Sequence, residues 1–127
     1  MNRVYSKYNS TSENSIAYAY VRTSFNNTII TITSTNGDTL SWSSSGVIGA
    51  KGCRRSTSYG AQAAAEDAAK KAKDKGVSIL KVILKGLGEG RQSSLKGFLA
   101  AGLRILYVAD NTPVPHNGCR AKKKRRV

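Results

Sequence analysis

Metal and redox chemistry have little to work with in this sequence. It holds two cysteines, Cys53 and Cys119, and one histidine, His116, among 127 residues. Two thiols cannot make a disulfide scaffold or a four-thiolate zinc site, and one imidazole leaves no pair for metal ligation or proton relay. Acid is scarce as well: 7 Asp or Glu stand against 21 Lys or Arg, a formal net charge of +14. No run approaches the roughly 18 consecutive apolar residues of a membrane span. No charged-then-apolar N-terminus resembles a secretory signal, so a reducing compartment is expected. Most enzyme classes are disfavoured, and neither a metal nor a cofactor is expected.

What is present is charge, unevenly spread over a chain long enough for one domain with a core. A net charge of this size on a small body favours a polyanionic partner, because each neutralised phosphate releases condensed counterions. Six of the 21 cations crowd the last eight residues: Arg120, Lys122, Lys123, Lys124, Arg125 and Arg126. A second knot, Lys51, Arg54 and Arg55, sits among glycines and serines that predict an exposed loop. The plainer reading of the terminal run is a solvated tail or a nuclear-localisation string. Membrane binding is weaker still, since the tail has no apolar face or acylation signal. Nucleic acid is the leading partner.

Residues 1–15 are polar and aperiodic and read as a flexible extension. In Ile16–Val21 the large residues Ile16, Tyr18 and Tyr20 alternate with Ala17, Ala19 and Val21, which predicts a strand covered on both faces. Thr28–Thr33 is β-branched throughout, with Ile30 and Ile32 on its inner side. Asn36-Gly37 predicts a two-residue turn with positive φ, returning into a strand with Leu40 and Trp42. A helix is expected from about Tyr59 to Lys75, with Gly76 after its end. Ala61, Ala65, Ala68 and Ala72 give it a thin stripe that lets it approach a sheet. Glu66–Lys70 and Asp67–Lys71 are spaced as ion pairs on the other side. A strand over Ser78–Lys85, the glycine loop Gly86–Arg91, a helix with Leu95, Phe98 and Leu99 on one face, and a strand over Ile105–Ala109 complete the domain.

The order β-β-β-α-β-α-β predicts an α/β domain over residues 16–110. Its mixed five-stranded sheet is an antiparallel meander continuing into helix-connected parallel strands. Residues 111–127 read as an extended basic tail, stiffened by Pro113 and Pro115.

The glycine loop GLGEGR follows a strand and opens a helix, where free N–H groups attract phosphate. Asp110 lies 20 residues after Gly90, as a ribose-binding acid would in a dinucleotide fold. The spacing is nevertheless G-x-G-x-G, Glu89 would face a pyrophosphate, and no Gly-Lys-Ser/Thr follows. A backbone–phosphate contact and a simple tight turn both remain open. His116 reads equally as a nucleotide contact or a solvated residue. The two cysteines read as ordinary small residues. Trp42 reads as core ahead of a base-stacking residue, and no pair of ribonucleoprotein signatures marks a stacking sheet.

Taken in order, SFNNTIITIT, SWSSSG, GAKGCRRST, AQAAAEDAAKKAK, GLGEGR and DNTPVPHNGCRAKKKRRV closely resemble the universal small-subunit ribosomal protein eleven family, from about Ile16 to Val127. The resemblance implies a ribonuclease-H-like fold without catalysis and a structural place in the small ribosomal subunit. That place is the platform, bound to small-subunit ribosomal RNA near the messenger-RNA exit and the E site. The implied neighbours are ribosomal proteins seven and eighteen, and twenty-one where present.

Carried over by position, the RNA-facing residues are Asn26 and Asn27 in a turn; Lys51, Arg54 and Arg55 in the basic loop; Arg91 at the end of the glycine loop; and, in the tail, His116, Asn117, Arg120 and Lys122–Arg126. The last three groups also stand out from their residues alone. The family usually has proline where Leu87 and Glu89 stand, and Pro-Pro where this chain has Ala121-Lys122, which predicts a looser, more charged tail. A composition heavy in Asn, Ser, Tyr, Ile and Lys favours a mitochondrial ribosome ahead of a plastid or bacterial one.

Overall fold

The β-branched run and its neighbours form strands where the pattern predicts them. The computed structural model describes residues 16–49 and 57–126. Its elements are β1 (Ile16–Thr23), β2 (Thr28–Thr33), β3 (Thr39–Ser44), α1 (Ser58–Asp74), β4 (Ile79–Gly86), α2 (Gly90–Ala100) and β5 (Arg104–Asp110). They make one mixed sheet in the order β3-β2-β1-β4-β5. β1 and β2 pair antiparallel, as do β2 and β3, while β4 runs parallel to both β1 and β5. The expected α/β domain is therefore the one observed.

Both helices lie on the same side of the sheet. Ala17, Ala19 and Val21 of β1, Ile30 and Ile32 of β2, and Leu80, Val82 and Leu84 of β4 join the alanines of α1 and Phe98 of α2 in a single core. The alanine stripe is wider than the spacing suggested, because Ala64 and Ala69 are buried with the rest. Small side chains bring α1 close enough for two β3 serines to reach it. Ser41 Oγ donates to the Ala68 carbonyl at 2.9 Å and Ser43 Oγ to Asp67 Oδ2 at 2.9 Å. Those bonds satisfy hydroxyls that would otherwise cost free energy beside the core. Among the described residues Phe98 is the largest fully buried side chain, and truncating such a residue to alanine costs about 3–5 kcal/mol.

Five expectations need correction. Among the described residues β1 is covered by helices on one face only, and Tyr18 and Tyr20 lie half-buried on the other, open face. Period-two alternation reports two faces without saying whether the second has a cover. Trp42 is on that open face, 54% exposed, and is not a core residue. The hairpin turn is longer than two residues: Ser34 N–H donates to Asp38 O, Gly37 N–H donates to Ser34 O, and only Gly37 has positive φ. This is a three-residue loop closed by a glycine bulge. Lys71 pairs with Asp67 at 3.0 Å, but Glu66 accepts from Gln62 instead of meeting Lys70. Leu99 is 58% exposed, because α2 turns Gly90, Ser94, Gly97 and Phe98 inward. Partial burial raises the Asp67 carboxyl, but the hydrogen bonds from Lys71 and Ser43 outweigh it and hold the group below its ordinary value.

Each helix ends by turning an apolar residue back into the core. The Val77 N–H donates to Ala72 O and the Leu103 N–H to Phe98 O, and both side chains are 2% exposed. At the other end of α1, Thr57 Oγ1 accepts the Gly60 N–H at 3.2 Å, a hydroxyl cap for an otherwise orphan donor.

Candidate nucleic-acid interface

Thr23 at the end of β1 is the lateral partner of Gly86 at the end of β4. The two backbones approach so closely that a Cβ on Gly86, at φ +93, would lie 2.0 Å from the Thr23 carbonyl oxygen. Only glycine fits there. A Cβ on Gly88 would likewise lie 2.7 Å from the Ser24 carbonyl oxygen. The glycine loop is thereby seated against the β1–β2 turn. Within that turn Ser24 Oγ accepts the Asn27 N–H at 3.1 Å, and Asn27 Oδ1 accepts the Thr28 N–H at 2.8 Å. The Asn27 side-chain oxygen shapes the turn, whereas Asn26 is exposed.

Arg91 ties the same loop to the start of the tail. Its guanidinium donates to Gly86 O at 2.8 Å and to Asp110 Oδ2 at 2.5 Å. Asp110 Oδ1 accepts the Thr112 hydroxyl at 2.6 Å and the Thr112 N–H at 3.1 Å. The Gly86 N–H donates to Thr112 Oγ1 at 3.2 Å and closes the ring of contacts. Hydrogen bonds from Thr112 and then Arg91 hold the Asp110 carboxyl down to about 2. The acid spaced like a ribose ligand is thus engaged by Arg91 and Thr112. Arg91 is itself ion-paired with Asp110.

These contacts bring the separate sequence elements to one end of the sheet. A shallow groove there is lined by Arg22, Phe25, Lys85, Leu87, Thr112 and Pro113. An adjoining hollow is lined by Phe25, Thr57, Gly88 and Glu89. Thr57 follows the basic loop, whose Lys51, Arg54 and Arg55 lie outside the described residues, as does Cys53. Beyond Thr112 the chain has no regular structure and its polar residues are exposed. His116, Asn117, Arg120 and Lys122–Arg126 all lie in this exposed stretch. Asn117 adopts φ 57, a left-handed conformation that asparagine tolerates better than most residues.

Three residues of this end escaped sequence reasoning: Arg22, Lys85 and Phe25. Arg22 and Lys85 sit inside strands, where an alternating cation reads as an ordinary solvent-facing residue. Phe25 is 77% exposed; its signal was an aromatic ring inside a polar turn, SFNN, where nothing apolar was needed. Among the described residues no three His, Cys, Asp or Glu side chains cluster as a metal site, and no helix is long and apolar enough to cross a membrane. Among the described residues, the exposed cations of the tail follow directly on a rim closed by hydrogen bonds, a layout suited to contact with an extended anion.

The family model described as ribosomal protein S11 matches residues 17–126.

Proposed function

Because this chain belongs to the ribosomal protein S11 family, structural and non-enzymatic RNA-binding components of the small ribosomal subunit, we propose that the rim described above is its principal ribosomal-RNA contact. The observation that carries this is convergence. The β1–β2 turn, the glycine loop, the exit of the basic loop and the root of the tail meet at one end of the sheet. The rim is held by hydrogen bonds among Gly86, Arg91, Asp110 and Thr112, while the exposed cations of the tail lie beyond it. A braced rim sets orientation, and long basic segments supply the salt-dependent affinity. In this reading Asn26, Lys51, Arg54, Arg55, His116, Asn117, Arg120 and Lys122–Arg126 touch RNA. Asn27 and Arg91 hold the turn and the loop that present them.

The resemblance of the motifs supports a finer placement. The protein sits on the platform, near the messenger-RNA exit and the E site, beside ribosomal proteins seven and eighteen, and twenty-one where present. Composition favours a mitochondrial ribosome.

Tethered cleavage tests the reading. With Cys53 and Cys119 replaced by serine, Asn26→Cys and His116→Cys variants carry an iron chelate into assembled small subunits. Overlapping cleavages of small-subunit rRNA from the two positions are expected. Cosedimentation with cleavages in unrelated regions would remove the shared rim. Failure to cosediment with small subunits would remove the ribosomal assignment for this chain.

A further inference from the structure

Trp42 and the paired tyrosines have no role at the rim, and they share the open face of the sheet. Tyr18 and Tyr20 stand side by side there, ring centroids 6.3 Å apart. Lys81 Nζ lies 5.4 Å from the centroid of Tyr18 and 5.9 Å from that of Tyr107, on the neighbouring strands. Lys85 Nζ lies 5.8 Å from the centroid of Tyr20. Each ammonium is held by ring quadrupoles and by no carboxylate among the described residues. A cation held this way keeps its donors for another acceptor. The positions of the five strands that turn from the helices include no Asp or Glu. Arg22 and Lys85 belong to this face and also line the groove at the rim, so the two surfaces are continuous.

We propose that this open face is a second RNA-binding surface, on which Lys81, Lys85 and Arg22 take backbone phosphates and Trp42 stacks on a base or ribose. The proposal rests on the RNA-binding reading of the rim and extends it across the sheet. Four inter-strand spacings give the face a width of about 19 Å, enough for several nucleotides to lie across it. Charge selects the occupant. Cations without acids suit a polyanion. The chain's own residues 1–15 carry Arg3 and Lys7 against Glu13, so they cannot neutralise the face. Aromatic rings between basic groups are a sequence-tolerant way to hold single-stranded RNA.

The test compares the full chain with three variants: Lys81→Ala/Lys85→Ala, Trp42→Ala, and a chain ending at Ala121. RNA affinity is measured against salt with a small-subunit rRNA fragment, and folding is checked by thermal unfolding. The lysine double variant should reduce the magnitude of the log–log salt slope by roughly 1.4–1.8, as expected when two phosphates go unneutralised, with the fold intact. Ultraviolet irradiation of assembled subunits should crosslink Trp42 or Tyr107 to RNA. An unchanged slope in the double variant, with a reduced slope in the truncated chain, overturns the second surface and leaves the rim standing. An unchanged slope in both overturns the second surface and removes the tail as an RNA contact as well. Crosslinks from the face to protein alone, or labelling of Trp42 that appears only after residues 1–15 are deleted, assign the face to another occupant and overturn the proposal.

Discussion

Gly97 of α2 and Ala65 of α1 meet with no space between them: a Cβ on Gly97 would lie 2.6 Å from Ala65 Cβ and 2.6 Å from the Gln62 carbonyl oxygen. The helix–helix packing is therefore set by a missing methyl group. Gly97→Ala should destabilise the domain by about 1–3 kcal/mol, since overpacking outweighs the gain in helix propensity. Ala65→Gly in the same chain should recover part of that loss and no more, because the Gln62 backbone cannot move aside independently. Denaturant unfolding of the two single variants and the double variant measures the coupling, which should be clearly non-additive.

A second prediction concerns acid. The folded-state value of Asp110, about 2, lies below its ordinary 3.8. Its contribution is thus complete above about pH 4 and is lost as pH falls through about 2. Over that window the Arg91–Asp110–Thr112 brace should open and free the start of the tail. Titration of the Asp110 carboxyl by NMR should show the depressed midpoint. Thr112→Val should move it upward, and a midpoint unmoved by that change would mean the threonine does not hold the acid.

The tail should contribute affinity without contributing to the fold. Its cations are exposed and lie beyond the last strand. Removing Lys122–Val127 should leave thermal unfolding unchanged and lower the magnitude of the salt slope by roughly 0.7–0.9 for each phosphate that the tail had neutralised. A slope that survives the truncation would show that the tail does not touch RNA.

The basic loop should behave as a separate anchor. Neutralising Lys51, Arg54 and Arg55 together should weaken RNA binding with little change in melting temperature. The two arginines should account for most of the effect, because guanidinium grips phosphate with two hydrogen bonds. A large fall in melting temperature with affinity intact would mark the loop as structural.

How far the molecule could be read from its residues depends on the kind of signal each position gives. Ile30 and Ile32, the β2 boundaries and the alanines of α1 were legible because burial follows a period. Trp42, Tyr18 and Tyr20 were not: the same alternation serves a sheet with one covered face or two, and only the positions of both helices decide between them. Gly97 gave no signal, since a glycine within a helix does not name the residue it faces. Arg91 and Asp110 show the opposite difficulty. Asp110 is spaced from Gly90 as a ribose acid would be, a match the glycine pattern itself argues against, and nothing in the residues says that parallel pairing of β4 with β5 brings Asp110 to Arg91 as a brace. Of the residues proposed to meet RNA, the tail and the basic loop were legible from charge density, while Arg22 and Lys85 required the strands to be aligned.

The parallel pairing of β1 with β4 also bears on how the chain is made. Ile16 meets Ile79, 63 positions later, so the central strand of the sheet waits for a partner that has not yet been synthesised. Until then the β1–β2–β3 meander exposes the row of N–H and C=O groups that β4 will later fill, on a surface already apolar from Ala17, Ala19 and Val21. Such an intermediate has high contact order still to satisfy and an edge open to other strands. The nascent chain should therefore pass through a sticky stage before β4 is made, and a holdase that masks strand edges should raise its soluble yield most when synthesis pauses before residue 79.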